Sequence, residues 1–212
     1  MPYTFIFIGC LGLTISSIGI YIPFIQQLDI SAIAWISQHR TALFDDVAIF
    51  LSYVGGLPVM LLVFGIWCAQ QLRLKKRTSS LFIFVSLVGG SVIGWILKYL
   101  FDRPRPDPIY HMVETYGAAF PSAHSLYAAV LFCLIMFMSH KHKHARLITF
   151  FACLWAVGMG FSRVYLGAHY PTDVIAGWSI ALIWVAWLWL QFSQHRLKQN
   201  KLFLEKNLNE VE

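Results

Sequence analysis

Apolar runs long enough to cross a bilayer dominate the sequence and leave few ways for the chain to fold. Six runs are predicted to span a membrane, at roughly Tyr3–Phe24, Val47–Gln70, Ser79–Tyr99, Ser122–Ser139, Leu147–Phe161 and Val174–Phe192. A span needs about 20 apolar residues, a length that the fifth run reaches if it continues through Val164 to Leu166. Only 12% of the residues are charged, about half the share in a soluble domain. The sequence therefore predicts an all-α protein, an integral membrane six-helix bundle.

The basic residues predict how the bundle is oriented. Most of the 16 lysines and arginines lie in three connections, at 71–78, at 140–146 and in the tail after Phe192. The positive-inside rule places these connections and both termini in the cytoplasm. We therefore expect a six-span domain over residues 1–193, followed by a cytoplasmic basic tail over 194–212. The net charge of +6 is explained by this distribution and does not indicate nucleic acid binding.

The connection Ile25–Asp46 lies on the other side of the membrane. Its apolar residues recur at helical spacing, with Ile30, Ile33 and Ile36 on one side. That spacing predicts either an amphipathic helix in the membrane interface or a connecting helix packed on the bundle.

Three cations are predicted on the same side as that connection. Lys98 ends the third span, Arg105 follows in a proline-stiffened segment, and Arg163 ends the fifth span. Three cations without matching acids would repel one another, but they suit an anion such as phosphate. Each cation alone is better explained by snorkelling to lipid headgroups, but the three together with the histidines are not.

The beginnings of two predicted spans, the fourth and the sixth, carry histidines. Pro121-Ser122 begins the fourth span, where free N–H groups favour an anion, and His124 follows within one turn. His169 and Asp173 are four residues apart at the start of the sixth span, with Pro171 predicted to open the helix. A carboxylate at this position can fix the histidine tautomer and leave the other ring nitrogen as a nucleophile.

Taken in order, these residues read K-x6-RP, PSAH and SR-x5-H-x3-D. The chain resembles the type 2 phosphatidic acid phosphatase superfamily of membrane lipid phosphatases. That family shares its phosphate-binding core with vanadium haloperoxidases. The family usually has PSGH, so Ala123 is a departure from the pattern. Because alanine is a good helix former, the helix start should survive and the fit around phosphate could tighten.

The resemblance implies a role for each motif residue. Lys98, Arg105 and Arg163 would hold the phosphate, with Ser122 and the adjacent backbone near Ala123 assisting. His169 would attack phosphorus to form a phosphohistidine, Asp173 would orient it, and His124 would protonate the leaving group. Arg103 is either an additional phosphate contact or a structural partner of Asp102.

The resemblance also implies that no metal or other cofactor is needed. The four cysteines lie inside apolar runs, and no cysteine or histidine spacing suits a metal. No carboxylate cluster on the predicted outer face would hold two metals. Beyond the membrane and a lipid phosphate substrate, the sequence indicates no protein partner.

The expected activity is hydrolysis of a lipid phosphate or diphosphate on the outer face of a bacterial inner membrane. Undecaprenyl diphosphate is the first candidate substrate, followed by phosphatidylglycerophosphate, and then phosphatidate or lipid A. A lipid transporter or flippase is the alternative from another class, because charges within membranes also mark transport paths. Here the charges lie at one membrane edge, and paired broken helices are not predicted.

Overall fold

In the structure, a computed structural model, every regular element of the described residues is a helix. The structure describes the backbone of residues 1–209 and the side chains of residues 1–194. The helices are α1 (Pro2–Gly19), α2 (Pro23–Gln38), α3 (Ala42–Val54), α4 (Leu57–Arg73), α5 (Arg77–Phe101), α6 (Ala123–Ser139), α7 (Ala145–Tyr165) and α8 (Pro171–Asn209). A short 3-10 helix, Pro108–Tyr110, lies between α5 and α6. The all-α prediction is confirmed, and the basic side chains of the predicted tail, 194–212, lie outside the described part.

Several of these helices can cross a membrane. α1, α5, α7 and the Pro171–Gln194 part of α8 are each long and apolar enough, and α3 with α4 adds a fifth span if the two count as one. α6 is apolar but has only 17 residues. α7 continues to Tyr165, as the longer version of the fifth run predicts. The chain is a multi-pass membrane protein.

The second predicted span, Val47–Gln70, is divided between two helices. α3 ends at Val54 and α4 begins at Leu57, with a bend of 56° between them. Pro58 lies in the first turn of α4. It has no N–H to donate, and in a continuous helix its ring would clash with the carbonyl one turn earlier. The break therefore follows from the sequence GGLP at 55–58.

The helix α8 organises the bundle. It packs against α1, α5 and α6, and its residues Ile180 and Val185 join Leu126, Val130 and Phe82 in the main buried cluster. Gly177 lets the first turn of α6 approach closely, because a Cβ there would lie 2.5 Å from the carbonyl oxygen of Ser122. The beginnings of α6 and α8 are thus held side by side.

The connecting segment before α3 forms the helix α2, which packs on α7 and α8. Asp29 and Ile33 are buried on its inner side, whereas Trp35 is exposed. Of the two alternatives for Ile25–Asp46, the structure therefore supports a connecting helix packed on the bundle.

Candidate active site

The turn after α7 buries His169. Gly167 has a φ of +68°, which favours glycine, and a Cβ there would collide with the backbone of Tyr110. The turn closes on Arg163, whose carbonyl accepts the N–H groups of Ala168 (3.0 Å) and His169 (3.2 Å). Only 2% of His169 is exposed. The sequence LGAH thus fixes both the backbone and the burial of this histidine.

Asp173 lies in the first turn of α8, next to His169. Its carboxylate is fully buried, and Oδ2 lies 3.5 Å from His169 Nδ1. The same oxygen accepts the N–H of Tyr170 at 2.9 Å. Because Nδ1 faces the carboxylate, a proton on Nδ1 leaves Nε2 with its lone pair. The structure therefore brings the predicted His–Asp pair together, at a distance longer than a standard hydrogen bond.

Arg103 is bound by two buried carboxylates. Its guanidinium donates to Asp173 Oδ1 (2.6 Å) and to Asp29 Oδ2 (2.8 Å), and also to Thr172 Oγ1 (2.7 Å). The ring of Tyr170 covers it at 4.2 Å. Burial alone would lower the pKa of Arg103, but the two carboxylates outweigh it and the pKa is raised.

These contacts correct the sequence-based interpretation of Arg103. The proposed pairing with Asp102 was wrong, since that residue ends α5 in the left-handed conformation and the ion pairs of Arg103 are with Asp29 and Asp173. The donors bound to these two acids and to Thr172 are turned toward α2 and α8. Arg103 therefore holds the predicted orienting carboxylate, and its contact with phosphate stays a prediction.

Asp29 was not among the predicted site residues. It is 2% exposed, and besides Arg103 it accepts the N–H (3.1 Å) and the hydroxyl (2.5 Å) of Thr172. The available signal was a single carboxylate on the apolar side of α2, four residues before the buried Ile33. An acid on such a side needs a cation nearby.

The three predicted phosphate ligands all lie near His169. Lys98 Nζ donates to the carbonyl of Ala118 at 2.5 Å. Burial lowers the pKa of His169 well below its ordinary value of 6.5, and the charges of Arg105, Arg163 and Lys98 lower it further. The imidazole is therefore neutral at pH 7, as a nucleophile must be.

The guanidinium of Arg105 is enclosed by acceptors. Nε donates to the carbonyl of Gly117 (2.8 Å), Nη2 to those of Tyr116 (2.7 Å) and Ala118 (3.5 Å), and Nη1 to that of Ala168 (2.8 Å). Nη1 also lies 3.3 Å from Nε2 of His169. Since arginine has five N–H groups, this set of contacts uses every one of them. The segment 116–118 therefore occupies donors that a phosphate group would need.

Arg163 and His124 meet on α3. Arg163 is 3% exposed, and its Nη1 donates to the hydroxyl of Ser52, while its Nε has no partner within the described residues. His124 Nε2 lies 3.2 Å from the carbonyl oxygen of Ser52. Ser52 belongs to none of the three motifs and was not among the predicted site residues.

Ser122 caps α6. Its buried hydroxyl accepts a hydrogen bond from the hydroxyl of Ser125 at 2.8 Å, and its N–H donates to the carbonyl of Asp173 at 3.0 Å. Ala123 is the first residue of α6, so the departure from PSGH leaves the helix start intact. That N–H···O bond holds the PSAH segment against the His169–Asp173 segment.

The predicted residues thus gather at one end of the bundle, although their phosphate contacts remain predictions. Lys98 lies in the last turn of α5 and Arg163 in the last turn of α7. Ser122 caps α6, and Asp173 lies in the first turn of α8. Among the described side chains, those of residues 1–194, no group of three or more histidines, cysteines or acids is arranged to hold a metal ion. The arrangement can hold an anion next to a neutral histidine.

Comparison with known proteins gives consistent matches. The profile of the PAP2 superfamily matches residues 79–197, more than half of the chain. Phosphatidylglycerophosphatase B of Bacillus subtilis is 30% identical, over 66% of this chain and 70% of its own. The undecaprenyl-diphosphatase BcrC of the same organism is 27% identical, over 76% of this chain and 81% of its own.

A solved structure is also similar. It is that of a transmembrane PAP2-type phosphatidylglycerolphosphate phosphatase from Bacillus subtilis, with a TM-score of 0.79 and 25% identity. The match covers 93% of this chain and 96% of the other. The similarity therefore extends beyond the motifs to nearly the whole bundle.

Proposed function

The chain belongs to the PAP2 superfamily and is a membrane lipid phosphatase, and from that premise we propose that it hydrolyses undecaprenyl diphosphate. The site would face the outside of a bacterial inner membrane, as the basic connections predict. The match to an undecaprenyl-diphosphatase over 81% of that relative's length supports this substrate.

The observation that carries the catalytic proposal is the setting of His169. It is buried, neutral, 3.5 Å from Asp173, and in the electrostatic field of three cations. Lys98, Arg105 and Arg163 bind the phosphate oxygens, and this charge is fixed before the reaction begins. Ser122 and the first backbone N–H groups of α6 assist.

The reaction has two steps. His169 Nε2 attacks the terminal phosphorus, the bond from phosphorus to the leaving oxygen breaks, and His124 gives that oxygen a proton. Asp173 keeps the proton of His169 on Nδ1 during the attack. His124, which now lacks the proton given to the leaving oxygen, takes one from the water that attacks the phosphohistidine, and the bond from phosphorus to Nε2 breaks to release inorganic phosphate and the free imidazole of His169. The protein supplies all the positive charge, so no metal takes part.

Phosphatidylglycerophosphate is the second candidate substrate. The curated relative at 30% identity and the solved structure at a TM-score of 0.79 are both named for that activity. Both substrates present a terminal phosphate to the same cations, and they differ in the leaving group and the tails.

Phosphate release from a lipid panel tests these proposals. The purified protein should be assayed with undecaprenyl diphosphate, phosphatidylglycerophosphate, phosphatidate and lipid A in one detergent, with His169→Ala as the inactive control. The highest kcat/KM is expected for undecaprenyl diphosphate. A preference for phosphatidylglycerophosphate would favour the second candidate, and no release from any lipid would refute the phosphatase site.

A further inference from the structure

The break between α3 and α4 leaves one main-chain acceptor free at the site. In a continuous helix the N–H of Gly56 would bind the carbonyl of Ser52, four residues earlier. Here the N–H of Gly56 binds Tyr53 instead, at 3.3 Å. The carbonyl oxygen of Ser52 is met by His124 Nε2 at 3.2 Å. The helix break thus supplies the partner of the predicted proton donor.

The bond also fixes where the proton of His124 lies. A carbonyl oxygen can only accept, so Nε2 must carry a hydrogen. Because this N–H is directed at Ser52, the proton given to the leaving oxygen must come from Nδ1 of a ring that carries both protons. Ser52 therefore orients the ring of His124 through Nε2.

The side chain of the same residue holds the predicted phosphate ligand Arg163. The hydroxyl of Ser52 accepts from Arg163 Nη1. The guanidinium is 3% exposed and its Nε has no partner among the described residues. With one donor fixed by the hydroxyl, Nε is left for a ligand, which is the preorganisation that anion binding requires.

We propose that Ser52 is a positioning residue that aligns the phosphate-binding Arg163 through its hydroxyl and the proton donor His124 through its carbonyl. This inference rests on the proposed function, because it assigns a role within that site. It links two groups whose motifs lie far apart in the chain. It also gives the broken second span a function, which is to bring one residue of α3 into contact with both.

Ser52→Ala separates the two contacts, since it removes the hydroxyl and keeps the carbonyl. Vanadate, a phosphate analogue, should bind this variant about tenfold more weakly, the effect of losing one hydrogen bond to a charged group. Calorimetry with the purified full-length protein measures this affinity without turnover. Ser52→Thr should restore the affinity, and Ser37→Ala, which removes a serine hydroxyl bonded to the carbonyl of Ala34 on α2, should leave it unchanged.

A double-mutant comparison shows whether the hydroxyl acts through Arg163. In an Arg163→Ala background, Ser52→Ala should change vanadate affinity less than about twofold, because the partner is already gone. The ratio of rates for a diphosphate and a monophosphate lipid should stay at the wild-type value in Ser52→Ala, since the carbonyl contact with His124 remains. A general loss of structure would move both readouts.

Three results would overturn the inference: wild-type vanadate affinity in Ser52→Ala, no rescue by Ser52→Thr, or an undiminished effect in the Arg163→Ala background. Failure of the proposed function gives a different pattern. In that case the wild-type protein itself would release no phosphate from any lipid and would not bind vanadate.

Discussion

Removal of the Arg103 side chain tests whether the buried ion pairs hold the site together. In Arg103→Met, the buried carboxylates of Asp29 and Asp173 lose the cation that now lies 2.8 Å and 2.6 Å from them. Loss of one partner from a buried pair costs about 3–5 kcal/mol, because the remaining charge is uncompensated. We expect a loss of this size in the free energy of unfolding. A lower kcat should accompany it as Asp173 loses its fixed orientation.

A second variant makes the test specific. Arg103→Met with Asp29→Asn removes one of the two orphaned charges while keeping an acceptor for Thr172. The double variant should therefore be more stable than Arg103→Met alone. Unfolding by SDS in mixed micelles, followed by loss of helical circular dichroism, measures both variants. Lys76→Met, which also replaces a cationic side chain with methionine but on the exposed α4–α5 connection, is the matched control.

Two results would refute this reasoning. One is unfolding of Arg103→Met at the wild-type SDS fraction, which would mean that the ion pairs contribute no net stability. The other is a double variant less stable than the single, which would mean that Asp29 is needed for a reason other than its charge.

The remaining predictions concern the reaction and its location. His169→Ala should abolish turnover and the acid-labile phosphoenzyme seen after rapid quench. His124→Ala should lower the rate by roughly a hundredfold to ten-thousandfold, less for a diphosphate lipid; label at wild-type level on His169→Ala would contradict the assignment. Because burial and neighbouring cations lower the pKa of His169, its ring stays neutral as pH falls through 6.5. The acid limb of kcat/KM should therefore lie below pH 6.5, after correction for the substrate's own ionisation; a midpoint above 6.5 would disagree. Chelator should leave turnover intact and vanadate should inhibit it; activity lost to chelator and restored by magnesium would argue for a metal. A cysteine at Asp107 should react with an impermeant thiol reagent in intact cells and one at Lys75 should not, and the reverse would invert the orientation.

Part of the site could be predicted because charged residues stand out at the ends of apolar runs. Lys98, Arg163 and Asp173 each lie near a predicted membrane edge, and charges at such positions need a partner or a function. The direction of each span then places all three at one end of the bundle. The broad fold followed from the same apolar runs.

The part that could not be predicted depends on contacts between distant segments. Asp29 lies 74 residues before Arg103, and the sequence around either residue does not identify the other as its partner. The contact of His124 is with a main-chain carbonyl, and any residue type at position 52 would supply that atom. The break at 55–58 could have been anticipated from Pro58, but apolar length alone favoured a single span.

The enclosure of Arg105 bears on how the enzyme completes its cycle. The carbonyls of residues 116–118 compete with any phosphate group for the same N–H donors, so binding exchanges one set of hydrogen bonds for another. The tails of a lipid substrate would add apolar contacts that favour the exchange. Inorganic phosphate has no tail, so it would compete with the carbonyls of residues 116–118 without that additional binding energy. If Arg105 binds the substrate phosphate as proposed, the carbonyls of residues 116–118 would favour the release of inorganic phosphate and would accept the donors of Arg105 again after each turnover.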